Sequence, residues 1–257
     1  MKLSLSLVLS VFVLACGPAP TAVQSLPVRA SATDGALTVE LLSSEPLHVG
    51  QNQVRYRVTH DGQLAPHALI TQHPVMDMGS MKHACPLLNP DHAPAEDGLY
   101  PGLLVFTMAT MDEAKWTLSL DVALEHDAAP VTVSLGEVVV ADSALKQVAT
   151  RDGRRITLTM GFPEAPHVGT NELIITAHVA HDMMMMSFDP VTDLAFTVTP
   201  EMPSMGHGSA HNLAPTLSED GLYRGVVNFS MPGDWVVHLG VAAGDATFGT
   251  FDFPFSL

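Results

Sequence analysis

The chain contains an imperfect internal repeat, and this feature constrains its fold more than any other. The segment from Met202 to Leu239 resembles an earlier segment from Met78 to Leu120. Both keep the spacing MxxMxH, followed by DGLY, a Phe, a Met and a Trp. Upstream, HVGQNQV at residues 48–54 corresponds to HVGTNEL at residues 167–173. Each copy spans about 110 residues, the usual size of one domain, so the repeat predicts two tandem units.

The local pattern within each unit indicates β-structure. Short apolar or alternating runs, such as LTVELLS, VRYRVT and WTLSLDV, recur between turn residues, and no run keeps a helical period. Several short strands with turn signals roughly every ten residues are typical of an immunoglobulin-like sandwich. We therefore expect an all-β chain with two tandem immunoglobulin-like β-sandwich domains, at residues 35–145 and 146–257.

The N-terminus predicts export. An apolar run from Leu3 to Leu14 follows Lys2, and Ala15 stands directly before Cys16. A membrane-spanning helix needs about 20 apolar residues, so this run predicts a signal peptide at residues 1–15 rather than a span.

The end of the signal peptide predicts a lipid anchor. The tetrapeptide VLAC resembles the lipobox of bacterial lipoproteins, which implies lipidation of Cys16, and Gly17 in place of Asp implies the outer membrane. Residues 16–34 are rich in small residues and Pro, as a flexible tether should be. We expect an extracytoplasmic protein on the periplasmic face of the outer membrane. An ordinary secretory signal that contains a cysteine is the alternative.

Charge and motif content exclude two functional classes. The formal net charge is −16, with only 11 Lys and Arg residues, so the chain repels phosphate backbones and we expect no nucleic acid partner. Cations would be attracted instead. The sequence has no GxSxG or HExxH motif and no recognisable pair of acid and nucleophile, and we expect a protein that is not an enzyme.

The repeated DGLY tetrapeptide is expected to bring separate segments together. Asp-Gly is a hairpin signal of the two-residue kind. Strands that pair outward from the second Asp-Gly turn would bring Met231 opposite Ala210, next to His207 and His211. The same construction in the first unit brings Met108 close to the first MxxMxH segment.

These clusters predict a copper site. Thioether sulfur prefers soft Cu(I), and imidazole accepts either oxidation state of copper. We expect copper, most simply Cu(I), as the bound cofactor. The candidate ligands are the Met and His side chains of the two repeats: Met202, Met205, His207, His211 and Met231 in the second unit, and Met78, Met81, His83 and Met108 in the first. Core packing is the alternative for these methionines, above all for the two that follow Phe at a strand end.

Three other features leave alternatives open. The run from Met183 to Met186, expected at the opposite end of the second unit from Met202, is either a second soft-metal surface or a hydrophobic loop. Cys85 is either a copper thiolate or a buried inert thiol. His48 and His167 are either turn residues or ligands.

The second unit, with HVGTNEL, MPSMGH and DGLYRGVVNFSMPGDWVVHLGV, resembles the YtkA-like domain, which is related in pattern to the FixH proteins of respiratory oxidase assembly. The resemblance covers about Ile156 to Leu257. The first unit departs from it, because MGSMKH replaces MPSMGH and four extra residues separate its Met from its Trp. Domains of this family are small extracytoplasmic sandwiches, often lipid-anchored or fused to parts of copper and silver efflux systems.

The resemblance implies copper handling. We expect the chain to buffer or deliver copper, with a copper-transport or oxidase-assembly protein as its partner and a lipid anchor as its contact with the membrane. The competing class is a structural or interaction module, in which the methionines form a contact surface for a protein partner.

Overall fold

The computed structural model of this chain describes residues 26–124, 129–181 and 185–257. The predicted signal peptide and Cys16 lie outside the described residues. Within those three ranges the regular structure is entirely β-strand, which confirms the predicted all-β class. None of the described segments forms a helix of the length and apolarity needed to cross a membrane.

The described residues contain ten strands in each half of the chain. Those of the first unit are β1 (Val28–Asp34), β2 (Leu37–Leu42), β3 (Gly50–His60), β4 (Gln63–Leu64), β5 (Leu69–Asp77), β6 (Lys82–His83), β7 (Leu87–Leu88), β8 (Tyr100–Phe106), β9 (Lys115–Ala123) and β10 (Val131–Val138). Those of the second unit are β11 (Lys146–Arg151), β12 (Arg154–Gly161), β13 (Gly169–Ala180), β14 (Phe188–Pro190), β15 (Ala195–Met202), β16 (His207–Gly208), β17 (Leu213–Leu217), β18 (Tyr223–Phe229), β19 (Asp234–Ala243) and β20 (Ala246–Ser256).

The two units have the same sheet topology. In the first unit one sheet has the order β1-β2-β3-β8-β7, with β4 paired to β3, and the other has the order β10-β9-β5-β6. In the second unit the orders are β11-β12-β13-β18-β17, with β14 paired to β13, and β16-β15-β19-β20. Each strand of the second unit therefore occupies the place of the strand numbered ten lower, as expected for a repeat.

Each pair of sheets encloses its own apolar core. In β9 and β19 every second residue points inward, which is the alternation of strands with one buried face. The buried faces of these two strands consist of Trp116, Leu118, Leu120 and Val122, and of Trp235, Val237, Leu239 and Val241. The sandwich architecture predicted from alternating apolar runs is thus confirmed.

The segment predicted as a tether is partly a strand. Val28–Asp34 forms β1, which pairs with β2 at the edge of the first sheet. Its run VRASATD alternates small apolar and polar residues, a pattern that composition alone does not separate from a linker. Residues 28–34 therefore belong to the first sheet and not to a tether, and residues 16–25 of the predicted tether lie outside the described residues.

The DGLY turns differ from the predicted two-residue form. Ser218 N donates to Leu222 O at 2.8 Å, so three residues, not two, separate the paired ends of the hairpin. Gly221 has a φ of 79°, the left-handed conformation that favours glycine. This extra residue shifts the register, and Leu217 pairs with Tyr223. The two-residue prediction is wrong because a three-residue hairpin loop ending in a left-handed Gly satisfies the same sequence signal.

The tyrosine of each DGLY tetrapeptide ties the turn to a neighbouring loop. The Tyr223 hydroxyl accepts a hydrogen bond from Leu194 N at 3.0 Å and donates to Val191 O at 2.9 Å. The Tyr100 hydroxyl donates to Ala65 O at 2.8 Å. The repeat of DGLY thus has a structural cause in both units.

The two units contact each other through the outer faces of their larger sheets. Gln51 of β3 donates its side-chain amide to Thr159 O at 3.1 Å and to Ile174 O at 3.0 Å. A small buried cluster, formed by residues of both units, lies in the same contact: Leu103, Val105, Ile174 and Leu222.

Replacement of Tyr223 by Phe should destabilise the second unit more than replacement of Tyr100 by Phe destabilises the first. Loss of the Tyr223 hydroxyl leaves a buried N–H and a carbonyl without a partner, at a cost of roughly 1–3 kcal/mol, whereas Tyr100 loses one bond. Urea unfolding of both variants measures the difference. Equal losses, or no loss for Tyr223→Phe, would contradict this account.

Candidate metal site

A row of three side chains crosses the end of the second sandwich. Met202 in β15 lies directly opposite His207 in β16. On the other side of β15, Glu201 pairs with Val236, which puts Met202 opposite Trp235 of β19. Directly opposed residues project from the same face of a sheet. The rings of His207 and Trp235 lie edge-to-face, with centroids 6.0 Å apart, so the three side chains form one group.

The loop between β18 and β19 closes over this row. Trp235 donates its indole N–H to Met231 O at 3.0 Å. A Cβ placed at Gly233 would lie 3.1 Å from the terminal methyl of Met202, so this loop packs against the Met202 side chain. Met231 itself is half-buried and packs against the second core. Met202, His207 and the backbone carbonyl of Met231 therefore lie around Trp235 at one end of the unit.

The two methionines of the MxxMxH segment have different environments. Met202 is only 3% exposed, whereas Met205 is 63% exposed in the turn that joins β15 to β16. The turn is tight, since Met205 N donates to Met202 O at 3.0 Å. Met202 therefore belongs to the core, and Met205 is exposed to solvent.

The orientation of His207 leaves one ring nitrogen available. Its Nδ1 lies 3.1 Å from Gly208 O, a contact that holds the Nδ1–H tautomer. The lone pair is then on Nε2, which is the nitrogen that would bind a metal ion. Met205 and His207 thus supply an exposed thioether and an imidazole from a single turn.

His211 does not meet Met231 in the way expected. Asn228, not Met231, lies beside Ala210, since the Asn228 side-chain amide donates to Ala210 O at 3.1 Å. The predicted pairing of Met231 with Ala210 is wrong. The longer DGLY turn and an irregularity between Leu213 and Thr216, which spans Pro215, shift the register. His211 is exposed, with a φ of 67°.

The first unit has an equivalent row built from a different methionine. Met76 of β5 lies opposite both His83 in β6 and Trp116 in β9. Trp116 donates its indole N–H to Met108 O at 2.9 Å, as Trp235 does to Met231. Met76, which is fully buried, is therefore the structural counterpart of Met202, a role that the sequence alignment gave to Met78.

Hairpin length explains the difference between the units. Six residues separate Met76 from His83, whereas four separate Met202 from His207. Met78 N donates to Met81 O at 2.9 Å, so the longer hairpin closes with a tight turn of its own. Met78 packs against the core, and Met81 is 46% exposed.

The remaining candidates have structural roles or lie partly outside the described residues. Cys85 is buried, and burial raises the pKa of its thiol, which favours an inert thiol over a copper thiolate. Of the run from Met183 to Met186, the first two residues are outside the described ranges, and Met185 and Met186 are described below.

The HVGxN motif is a turn held by its asparagine. Asn52 accepts from His48 N at 2.9 Å and donates to His48 O at 2.8 Å. Asn171 makes the same pair of bonds to the backbone of His167, at 2.8 and 2.7 Å. These bonds involve the backbone of each histidine, and they explain why the motif recurs in both units.

Among the residues that the structure describes, no three His, Cys, Asp or Glu side chains are grouped so that they could hold a metal ion. The sites predicted here differ from such groups because they use methionine sulfur.

A charged cluster lies on the outer face of β15, β19 and β20. His238 Nδ1 lies 2.7 Å from Asp252 Oδ1, and its Nε2 lies 3.1 Å from Glu201 Oε2. The hydrogen bond to Asp252, followed by that to Glu201, raises the pKa of His238. Glu201 directly precedes Met202 and pairs with Gly208, so the cluster supports the hairpin from the side opposite the Met202 row.

The sequence did not indicate that Met76 and Trp235 lie beside the histidines of the two hairpins. Met76 lies in a strand two residues before the repeated segment, and only its alternation with Met78 places both on one face. Trp235 was assigned to the core, and its position beside His207 depends on the pairing of β15 with β19.

Comparison with known proteins gives a family match within the second unit. Residues 150–240 match the sequence model of the YtkA-like family. The match covers most of the second unit, in agreement with the resemblance noted from its motifs, and none of the first. A search of curated proteins found no match.

Two solved structures are similar in outline. Domains 5-6 of the S-layer protein SbsC are 12% identical, with a TM-score of 0.33, and cover 90% of this chain and 97% of their own. The D0-D1 domain of intimin is 14% identical, with a TM-score of 0.25, and covers 88% and 100%. The fold assignment rests on the sheets themselves and not on these low scores.

Truncation of the two hairpin methionines should separate packing from ligation. Met202→Ala removes a buried side chain and should cost roughly 2–5 kcal/mol of stability in metal-free buffer. Met205→Ala removes an exposed one and should change stability by less than about 0.5 kcal/mol. Urea unfolding measures both. Similar losses for the two variants would contradict the burial described here.

The contribution of His238 to stability should depend on pH. Its folded pKa is raised above the unfolded value, so the stabilisation is fully present below the unfolded pKa and is lost as pH rises through the folded pKa. The melting temperature of His238→Gln should therefore fall furthest below that of the wild type near about pH 5.5, and the gap should narrow near about pH 8.5. A gap independent of pH would contradict the ion pairs with Asp252 and Glu201.

Proposed function

We propose that this chain binds Cu(I) at the hairpin of its second unit and buffers or delivers copper outside the cytoplasm. The observation that carries the proposal is the grouping of Met202, His207 and Met231 around Trp235, with Met205 exposed on the same turn. A buried thioether, an exposed thioether and an imidazole within one short hairpin are donors that suit soft Cu(I).

The environment of the hairpin supports a transfer site better than a permanent one. Met205 is exposed and His207 is only half-buried, so a partner protein has access to two of the donors. Met202 and Met231 pack against the core and would hold their positions in the absence of metal. Copper is therefore an ion that the chain carries and passes on, and not a permanent cofactor. The net charge of −16 favours the approach of cations.

The proposal includes the setting expected from the sequence. Lipidation of Cys16 would anchor the chain to the outer membrane on its periplasmic side, and the partner would be a copper-transport or oxidase-assembly protein. The chain would act by binding and exchange and not as an enzyme, without any nucleic acid partner. The match of residues 150–240 to the YtkA-like family supports an extracytoplasmic role.

A specific observation favours the competing function as an interaction module. Leu213 and Leu217 are exposed on β17, which is an edge strand of the larger sheet in the second unit, and Met205 is exposed on the nearby hairpin. An edge strand with exposed apolar side chains can pair with a partner protein. In that case Met205 would be a contact residue and not a ligand.

Anaerobic titration of the full-length chain with Cu(I), in competition with a chelator, tests the proposal. The double variant Met205→Leu/His207→Gln keeps the volume of both side chains and removes two donors. Loss of a residue that only hydrogen-bonds to a metal ligand already costs about 10–100-fold in metal affinity, so loss of two ligands should weaken binding at the hairpin at least about tenfold. Met202→Leu, which keeps the core filled, should also weaken it.

A matched control comes from the first unit. Met111 and His60 are exposed residues of the same types outside the hairpin, and Met111→Leu/His60→Gln should leave the affinity unchanged. Equal affinity and stoichiometry in the wild type and in Met205→Leu/His207→Gln would reject the site and favour the interaction module.

A further inference from the structure

The methionine loop of the second unit reaches the hairpin of the first. Met185, between β13 and β14, accepts a backbone hydrogen bond from Ala84 N at 3.0 Å. Ala84 directly follows His83, the residue that faces Met76 and ends the hairpin of the first unit. The two segments are separated by about a hundred residues in sequence, yet this bond holds their backbones together.

The contact lies far from the hairpin of the second unit. Gly169, at the start of β13, pairs with Phe229 close to Met231, whereas the methionine loop follows the other end of that strand. A strand of 12 residues spans roughly 40 Å. A metal ion held at Met205 therefore cannot also contact Met185.

The residues next to the backbone contact in sequence, in both units, have thioether and imidazole side chains. Met81, in the first unit, is 46% exposed, and Met186, in the second, is 43% exposed. His83 is almost buried beside Ala84. The two segments joined by the backbone bond therefore carry one exposed methionine from each unit and one histidine, the donor types of the second hairpin.

Two further features favour a binding role over simple packing. Met185 has a φ of 54°, an uncommon conformation for a residue with a side chain, and strained backbone of this kind is concentrated at functional sites. Lys82, which could repel a cation, is on the face of β6 opposite His83, and its ammonium lies 3.5 Å from the carboxylate of Asp77. The ammonium of Lys82 is therefore on the side of the strand away from His83, and the carboxylate of Asp77 compensates its charge.

We infer that Met81, His83, Met185 and Met186 form a second soft-metal site, shared between the two units. This inference rests on the proposed copper chemistry of the chain, but it assigns a separate site with its own ligands. An ion bound there bridges the two units. The first unit then binds metal with help from the methionine loop of the second unit, and not through its own hairpin alone. Packing of the methionine loop against the first unit is the competing outcome.

Titration of the full-length chain, labelled with ¹³C at the methionine methyl groups, with Ag(I) under anaerobic conditions tests this site. Ag(I) is a soft cation that stands in for Cu(I) and does not change oxidation state during the experiment. The methyl resonances of Met81 and Met186 should shift together as one ion binds. In Met185→Leu/Met186→Leu, which keeps the apolar contact, the affinity reported by Met81 should fall at least about tenfold.

Met205→Leu is the matched control, because it removes an exposed sulfur from the other hairpin. It should leave the shifts of Met81 and Met186 intact. If Met205 responds to Ag(I) while Met81 and Met186 do not, the methionine loop only packs and the shared site is overturned, although the proposed function stands. If Met81 and Met186 respond while Met205 does not, the shared site stands and the second-unit hairpin is rejected. If none responds, both are rejected.

Discussion

The hydrogen bond from a tryptophan indole to a methionine carbonyl is the interaction on which the hairpin end of each unit depends. Trp235 reaches the carbonyl of Met231, and Trp116 reaches that of Met108. Each bond satisfies a buried N–H, fixes the loop that enters β19 or β9, and holds the indole at the end of the core. In the second unit the ring of His207 lies edge-to-face with that indole, and Met202 lies opposite it in the neighbouring strand. Removal of Trp235 would leave Met202 and His207 without the side chain that lies beside both of them.

Because this anchor is common to both units, the difference between them lies in the hairpins. The short hairpin of the second unit exposes Met205 directly beside its row. The longer hairpin of the first unit buries Met76 and carries Met81 further out, where the loop with Met185 from the other unit approaches. Duplication therefore kept the fold and altered the surroundings of the donors. The larger sheets fix how the units meet, through the amide of Gln51.

Most of the fold could be read from the sequence, whereas the arrangement of the site could be read only in part. Alternating apolar runs and repeated turn signals predict two sandwiches, because these patterns are local. Register is less accessible: the three-residue DGLY turn and the irregularity at Pro215 moved Ala210 from Met231 to Asn228. The alignment of MGSMKH with MPSMGH matches Met78, and not Met76, to Met202. Hairpin length decides which methionine lies opposite the histidine, and the alignment does not show that length. The bond between Ala84 and Met185 depends on the packing of two units, which no local pattern encodes.

The central claim is that thioether sulfur and imidazole nitrogen of this chain bind copper together. X-ray absorption at the copper edge of the Cu(I)-loaded, full-length chain tests it most directly, because the scattering of sulfur differs from that of nitrogen and oxygen. We expect a Cu(I) edge and direct ligands that include sulfur from methionine together with nitrogen from histidine. A shell of nitrogen and oxygen alone, or a chain that retains no stoichiometric copper after desalting, would contradict it.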